Sequence, residues 1–485
     1  MENHKTIALE QNSFARSFII FLALALLTRQ LWWAIFGVLN VDEFENLHII
    51  WLYDHGVVPY LDYFHSHLPL YNLLLYPIYA LFGPSAELPG IARLTLFPIV
   101  LLTIWQIGWI GYRVTGSKIL GWLTVLFFLS PPSIGSCLAE MRPDSVGLPI
   151  ALFSVMLYLK YTQQTSTRPS KYYAAGFVLG LSLLFSHKPI LLVLVLLWLF
   201  EQYHYRILKQ SFSTRMRRLV LFSALVVFPY AIAVSILCAI GWLNLDNLRV
   251  VTATRMDMMI TDLFFWIKKT LLLVTPLFNL IVFALGIIGS IRTKFWRGIR
   301  SDGLNAGLVL SGTYAIVGLL QLIALPVLIP HWFILPFIFL SALVAWQLKR
   351  ASAAILVLVI AFAIIPPNLL HRDHFFENRT QQTQEFRSIL NNIPPEVPVL
   401  DSMTGLGAFR FIVGRHMYYR PGFFGEEAYR QYNQIVARGL SKKEFGAVVT
   451  DELMFRAFPS QIQDLIEKNY RPSSYPDILL PSPGP

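Results

Sequence analysis

Long apolar runs separated by short polar segments make up most of this chain. Each run is roughly 20 residues long, which is enough to cross about 30 Å of hydrocarbon as a helix. The runs lie at residues 14–39, 91–112, 119–134, 146–161, 172–186, 190–203, 219–242, 271–291, 304–328, 332–348 and 351–366. This pattern predicts an all-α polytopic membrane protein with about eleven transmembrane helices.

Basic residues concentrate in alternate connections between these runs. With the N-terminus inside, all of the basic connections fall on one side: 113–118, 168–171, 206–218, 292–300 and 349–350. Because such loops stay in the cytoplasm, we expect a cytoplasmic N-terminus and an extracytoplasmic C-terminus. The first run is too long for the apolar region of a signal peptide, so it should remain as an anchor.

One apolar segment, at residues 67–82, is short and carries Pro69 and Pro77. If it crossed the membrane, every later basic loop would lie outside. We therefore predict an interfacial or re-entrant helix. The whole first loop, from about residue 40 to 90, then lies on the extracytoplasmic face.

The chain becomes polar after about residue 370, which predicts a boundary between a membrane domain (1–369) and a soluble domain (370–485). Strand-like VPVLDS and FGAVVTDE alternate there with helix-like RQYNQIVARGL and PSQIQDLIEKN, ahead of a Pro-rich tip. We expect a small extracytoplasmic α/β domain. It either closes over a site and selects an acceptor, or serves as a stabilising cap.

Composition supports the membrane class, since 55% of the 485 residues are hydrophobic and 14% are charged. The mean hydropathy is +0.55. The basic loops account for the net charge of +11, so no nucleic-acid partner is expected. The two cysteines, Cys137 and Cys238, either form one bridge or remain as two thiols, and we prefer the thiols.

Two adjacent carboxylates, Asp42 and Glu43, follow the first apolar run. Charges at a membrane border cost free energy unless they have partners or a function. The following residues have helical spacing, with an apolar stripe and a separate face that carries Asp42, Glu45 and His48. This helix either turns its acidic face toward a cavity or is a solvated connector.

The predicted topology brings other polar residues to the same side of the membrane. These residues are Glu140, Arg142, Asp144, His187, Lys188, Arg255, Asp257 and His331. The cytoplasmic loops carry no comparable set of carboxylates and histidines. Any active site is therefore expected outside.

The segment VDEFENLHIIWLYDHGVVPYLDYFHSHLPL resembles the Asp-Glu block of GT-C glycosyltransferases, in the branch of protein O-mannosyltransferases and aminoarabinose transferases (families 39 and 83). SPP followed by AEMRPD is similar to the second acidic motif of that branch. FSHKP and IPHWFILPFIF resemble two later motifs. The resemblance covers roughly residues 14–365.

The resemblance implies an inverting glycosyltransferase that takes a sugar from a polyprenyl-phosphate carrier. Asp42 would be the general base, with Glu43 and Asp144 as further catalytic candidates. Candidates for the donor phosphate are Lys188, His331, Arg142 and Arg29. Candidates for substrate binding are Glu45, His48, His65 and His67. Arg29 has an alternative role, as an arginine that extends from the first span to the interface.

One departure from the family pattern concerns metal binding. Some relatives carry Glu-Lys-Pro-Pro-Leu where this chain reads SHLPL, so a carboxylate is missing. We therefore predict no metal ligands and no required cofactor, with a divalent cation left open.

The expected partners are the lipid-linked donor, a lipid, glycan or protein acceptor, and membrane lipids, and the expected location is the bacterial inner membrane. The alternatives are a transporter or flippase of lipid-linked sugars and a membrane-anchored assembly protein. A secondary transporter should show inverted repeats, which are not evident.

Overall fold

The computed structural model describes most of the chain. The described residues are 13–58, 68–162, 170–243, 306–324, 330–350, 356, 358–361, 364, 379–401, 404–412, 425–450, 455, 458–475 and 477–483. The predicted span at 271–291 lies outside these ranges, as do His65, His67, Arg255 and Asp257.

Helices dominate the first three quarters of the described chain. They are α1 (Ser13–Phe36), α2 (Val41–Asp54), α3 (Leu70–Phe82), α4 (Leu88–Thr115), α5 (Lys118–Leu129), α6 (Pro132–Ala139), α7 (Pro143–Thr162), α8 (Ser170–Leu183), α9 (Ile190–Arg206), α10 (Phe212–Ala239), α11 (Ala306–Ala324) and α12 (Pro330–Gln347). Wherever the structure describes a predicted span, most of its residues are helical.

Four of the described helices, α1, α4, α7 and α10, are long and apolar enough to cross a membrane. A large apolar core joins α1 and α4–α12, with Ile107, Leu123, Tyr172, Leu196 and Phe339 fully buried. Many large side chains on the outside of the bundle are also apolar and exposed, which suits a lipid environment. The number of spans stays a prediction.

The predicted span at 119–134 differs from the structure. Its helix ends at Leu129, and a second helix, α6, begins at Pro132. Two consecutive prolines, Pro131 and Pro132, explain the break, because a residue that precedes a proline is disfavoured in the helical conformation. After this break, α6 leads into a loop that lies beside α2.

Helix α2 begins at a capping box that the sequence encodes as Asn40-x-x-Glu43. The Asn40 side chain accepts from the backbone N–H of Glu43 at 3.1 Å, and the Glu43 side chain accepts from the backbone N–H of Asn40 at 3.0 Å. Phe44, Leu47 and Trp51 form the buried apolar stripe that the spacing predicts. The capping box fixes where the helix starts, and hence where Asp42 projects.

The described C-terminal segment contains helices and a four-stranded sheet. Its elements are α13 (Thr380–Asn392), β1 (Val399–Asp401), α14 (Gly425–Ser441), β2 (Ala447–Val449), α15 (Ser460–Asn469), β3 (Tyr470–Pro472) and β4 (Ile478–Pro481). The strand order is β1-β2-β4-β3, and only β1 and β2 are parallel. Strands β3 and β4 lie in the expected Pro-rich tip. Their prolines stand at strand ends, where a missing N–H is tolerated.

This C-terminal unit packs directly onto α2. The Phe44 and Phe386 rings meet edge to face at 5.2 Å between centroids. Gly405 has a φ of +82°, and a Cβ there would lie 2.5 Å from the Phe44 Cβ, so only glycine fits this contact. The Gln382 amide accepts from the Leu39 N–H at 2.9 Å and donates to the Leu39 carbonyl at 2.8 Å. The helix that carries Asp42 is thus held from the C-terminal side.

Candidate functional site

The loop between α6 and α7 lies against the first turn of α2. The Met141 N–H donates to the Glu43 carboxylate at 2.7 Å, and the Asn46 amide donates to the Met141 carbonyl at 3.4 Å. The Asn40 amide donates to the Glu140 carboxylate. These contacts bring the motif AEMRPD and the Asp-Glu pair together, although about 100 residues separate them in sequence.

Five charged side chains meet at this junction and form what we call the charged cluster: Asp42, Glu140, Arg142, Asp144 and Lys188. Arg142 forms an ion pair with Asp42, and Lys188 forms one with Asp144. Arg142 also lies 3.7 Å from Glu140 and 3.8 Å from Asp144. Charges therefore alternate along Asp42, Arg142, Asp144 and Lys188. Asp42 has the most exposed side chain of the five, at 25%.

Asp144 and Lys188 stand at the N-terminal ends of α7 and α9, which bring them together in the cluster. Asp144 stands in the first turn of α7, where the helix dipole favours a negative charge. The Ser186 hydroxyl donates to Asp144 and accepts from the Lys188 N–H at 3.3 Å. Burial lowers the pKa of Lys188, and the Asp144 charge opposes this shift. The loop FSHKP thus fixes a cation beside Asp144.

Glu43 points away from the charged cluster, into the protein. It is fully buried and forms an ion pair with Arg93 of α4, whose guanidinium also donates to the carbonyls of Trp33, Gly37 and Val38. The catalytic role predicted for Glu43 stays a prediction. Its buried pairing favours a positioning role for the start of α2.

His48 lies at the contact between α2 and the C-terminal unit. Its ring is buried, and Nδ1 hydrogen-bonds the Ala408 carbonyl. Burial lowers the pKa of His48 to about 4, while the Ala408 carbonyl opposes the shift. Its substrate-binding role stays a prediction, and the geometry favours packing.

This burial predicts a pH dependence of folding. Because the pKa of His48 falls from 6.5 to about 4 in the folded protein, the unfolded chain binds the proton more readily. Stability should therefore fall as the pH is lowered from 6.5 toward 4, by up to about 1.4 kcal/mol per pH unit from this residue. Melting temperatures of the detergent-solubilised protein at pH 7.5 and 5.0 measure the effect.

The matched variants are His48→Asn, which keeps a donor near Nδ1, and His55→Asn, which changes an exposed histidine of the same region. His48→Asn should flatten the dependence on pH, and His55→Asn should not. Equal slopes for the parent and His48→Asn would show that His48 does not titrate on unfolding.

The remaining predicted site residues lie at different places. Arg29 is buried in α1, donates to the Leu129 and Ser130 carbonyls at the end of α5, and stacks at 5.0 Å on Trp33. This arrangement favours a structural role over contact with a phosphate. Glu45 is half-buried on α2. His331 belongs to α12, but its side chain lies outside the described residues, as do His65 and His67.

The described residues show neither a metal-binding cluster nor a disulfide. Within the described ranges, no group of three or more His, Cys, Asp or Glu side chains is arranged to hold a metal ion. Cys137 and Cys238 do not form a disulfide, so the bridge is absent.

Several site residues were not identified from the sequence. Asn40 could have been found from its capping box with Glu43. Arg93 could have been suspected because a lone charge in an apolar run requires a partner.

Comparisons with known proteins show the fold. No protein-family model and no curated protein sequence matches the chain. Crystal structures of ArnT from Cupriavidus metallidurans do match it. The one bound to undecaprenyl phosphate has a TM-score of 0.61 at 14% identity, over 91% of this chain and 94% of that one. The apo structure has a TM-score of 0.56 at 14% identity, over 92% and 95%.

The oligosaccharyltransferase of Archaeoglobus fulgidus, solved in complex with zinc and sulfate, gives a TM-score of 0.52 at 13% identity, over 93% of this chain and 71% of that one. The predicted fold is confirmed to the extent that the chain shares the fold of these solved structures over more than nine tenths of its length. This fold and the four long apolar helices among the described residues indicate an integral membrane protein.

Proposed function

We propose that this protein is an inverting glycosyltransferase that moves a sugar from a polyprenyl-phosphate carrier to an acceptor at the extracytoplasmic face, with Asp42 as general base. The observation that carries the proposal is the charged cluster. Three separate chain segments, at α2, at the α6–α7 loop and at the α8–α9 loop, bring carboxylates and cations together at one end of the helices.

The cluster suits a phosphate leaving group. Arg142 and Lys188 provide two cations within one connected set of ion pairs, and both are largely shielded from water. Fixed cations in such a site stabilise the negative charge that grows on a departing phosphate. The ArnT structure that shares the fold holds undecaprenyl phosphate, a ligand of this chemical class.

An apolar cavity of about 410 Å³ adjoins the Lys188 loop and suits a prenyl chain. Leu183, Ile190, Val226 and Tyr230 line it, and His187 stands on the same wall. Because His187, next to Lys188 in sequence, lines this cavity, we expect the first isoprene units of a donor held at Lys188 to enter it.

The ion pairs also suggest how Asp42 becomes a base. In the structure, Arg142 holds the Asp42 carboxylate. A donor phosphate competes with Asp42 and Asp144 for Arg142 and Lys188, and this exchange frees the Asp42 oxygens for an acceptor hydroxyl. The donor should then bind before the acceptor.

The chemical step balances without a further reagent. An acceptor oxygen attacks the anomeric carbon from the face opposite the phosphate, and its proton passes to Asp42. The bond between the anomeric carbon and the phosphate oxygen breaks, and its electron pair leaves with the polyprenyl phosphate. The product is a glycoside of inverted configuration. Water then takes the proton from Asp42.

The proposal predicts that Lys188→Met weakens binding of the lipid-phosphate donor. Losing one charge-assisted contact to a phosphate should raise the dissociation constant by about 10- to 100-fold. Binding of polyprenyl phosphate to the purified protein in lipid nanodiscs measures this change, and consumption of polyprenyl-phosphate sugar in the same nanodiscs tests the transfer activity.

Two controls separate this effect from misfolding. Lys188→Arg keeps the cation and should retain most of the affinity. Asp144→Asn, added to Lys188→Met, removes the carboxylate that would otherwise be left without its lysine. Parent-like donor affinity in a well-folded Lys188→Met variant would make Lys188 a structural anchor and contradict the assignment.

A further inference from the structure

Near the charged cluster, the hydroxyl of Tyr71 is buried and has no hydrogen-bond partner among the described residues. Tyr71 lies in the first turn of α3 and is fully shielded from solvent. Its hydroxyl makes no hydrogen bond within the described part of the chain. A buried polar group of this kind costs about 1–3 kcal/mol, and one that persists in a folded protein calls for an explanation.

The position of this hydroxyl ties it to the candidate site. Burial raises the pKa of Tyr71 well above its ordinary value, and the charges of Glu43, Arg142 and Asp144 act on the same phenol. The phenol is therefore a neutral donor in the electrostatic field of the cluster. The neighbouring Asn72 side chain donates to the Asn46 carbonyl at 3.1 Å, which ties α3 to α2 one turn after Asp42.

Among the residues that the structure describes, none accepts a hydrogen bond from this donor. The Glu43 carboxylate is engaged by Arg93 and by two backbone N–H groups, and the Asp144 carboxylate by Lys188 and Ser186. A phosphate brings acceptor oxygens and gains negative charge during the reaction. It thus provides what the phenol lacks, at the place where Arg142 already offers a cation.

We propose that Tyr71 is a further donor-binding residue, whose hydroxyl donates a hydrogen bond to a phosphate oxygen of the lipid-linked donor beside Arg142. This inference rests on the proposed function. It assigns the buried phenol to the leaving group, and it excludes contact with the acceptor as the main role of Tyr71.

The test is Tyr71→Phe, measured as binding of polyprenyl phosphate in lipid nanodiscs. The dissociation constant should rise by about 10-fold or more, since a hydrogen bond to a charged oxygen is lost. The melting temperature without ligand should be unchanged or higher, because the phenol has no hydrogen bond to a described residue that it could lose. In transfer assays the KM of the acceptor should be unchanged.

Tyr158→Phe is the matched control. Tyr158 is also fully buried, and its hydroxyl likewise lacks a partner among the described residues. It stands about 21 Å along α7 from Asp144, at 1.5 Å per residue. Its removal should change neither polyprenyl-phosphate affinity nor turnover.

Three results would overturn the assignment: unchanged polyprenyl-phosphate affinity in Tyr71→Phe, a raised acceptor KM with unchanged donor affinity, or a lowered melting temperature with unchanged affinity. The last would indicate a structural water or an internal hydrogen bond. If the parent protein itself fails to bind polyprenyl phosphate, the proposed function fails, and the inference falls with it. That outcome is distinct from a failure of Tyr71 alone.

Discussion

Replacing Asp42 with asparagine should lower the rate of sugar transfer by about 10²- to 10⁴-fold, the usual contribution of a positioned general base. Asparagine keeps the shape of the side chain but cannot take the acceptor proton. Donor binding should remain or become tighter, because Asp42 competes with the donor phosphate for Arg142 and is not itself a phosphate ligand. Turnover and donor binding, measured on the same purified variant, separate these two effects.

Glu140→Gln is the matched control for this prediction. It also removes one negative charge beside Arg142, from which Glu140 lies 3.7 Å away. It is not proposed to accept a proton, so its effect on turnover should be much smaller. Arg142 keeps Asp144 and either Glu140 or Asp42 in the two variants, and both should fold. Equal losses in the two variants would indicate a general charge effect and contradict the base assignment.

The largest expected loss of stability comes from the buried pair of Glu43 and Arg93. Arg93→Met should destabilise the protein by about 3–5 kcal/mol, because a fully buried carboxylate loses its cation. The start of α2 is fixed by the same carboxylate, so turnover should fall as well. The free energy of unfolding in a reversible detergent system measures the first effect.

The double variant Glu43→Gln with Arg93→Met provides the decisive comparison. Removing both charges leaves no buried unpaired ion, so the double variant should be more stable than Arg93→Met alone. Additive losses from the two single variants would show that the residues do not act as a pair. The ion pair of Arg387 and Glu87 serves as a control, since both side chains are about half exposed and little change is expected.

The sequence was sufficient for the long helices and for the convergence of the charged residues. Apolar runs predict the long helices, and the basic loops predict that Asp42, Arg142, Asp144 and Lys188 share one side of the membrane. Helix ends that share a side can meet, and these four do. The order of the motifs along the chain contributed the rest of the resemblance. The similarity in fold to the ArnT structure agrees with that resemblance.

The sequence could not predict that Asp42 faces the charged cluster while Glu43 is buried. Adjacent residues on a helix project about 100° apart, so one of them faces the cluster and the other the interior. Which one does so depends on where α2 begins and on a cation 50 positions away, Arg93. Neither the adjacency of the two residues nor the pattern of hydrophobic positions shows which of them is buried.

The contact between α2 and the C-terminal unit is a second feature that sequence could not reveal. His48 appeared to share a polar face with Asp42, but a carbonyl from the loop after β1 covers it. Such packing joins residues 360 positions apart. Of the two roles expected for the C-terminal unit, acceptor selection and stabilisation, its contacts with α2 favour stabilisation.

The most direct test of the central claim is mass spectrometry of envelope lipids and glycans from a deletion strain. The strain should be complemented in turn with the parent gene and with the Asp42→Asn variant. We expect the deletion to lose one sugar from an envelope acceptor and to accumulate the polyprenyl-phosphate-linked form of that sugar. The parent gene should reverse both changes, and Asp42→Asn should reverse neither. Restoration of the sugar by Asp42→Asn, or an unchanged envelope in the deletion strain, would contradict the account.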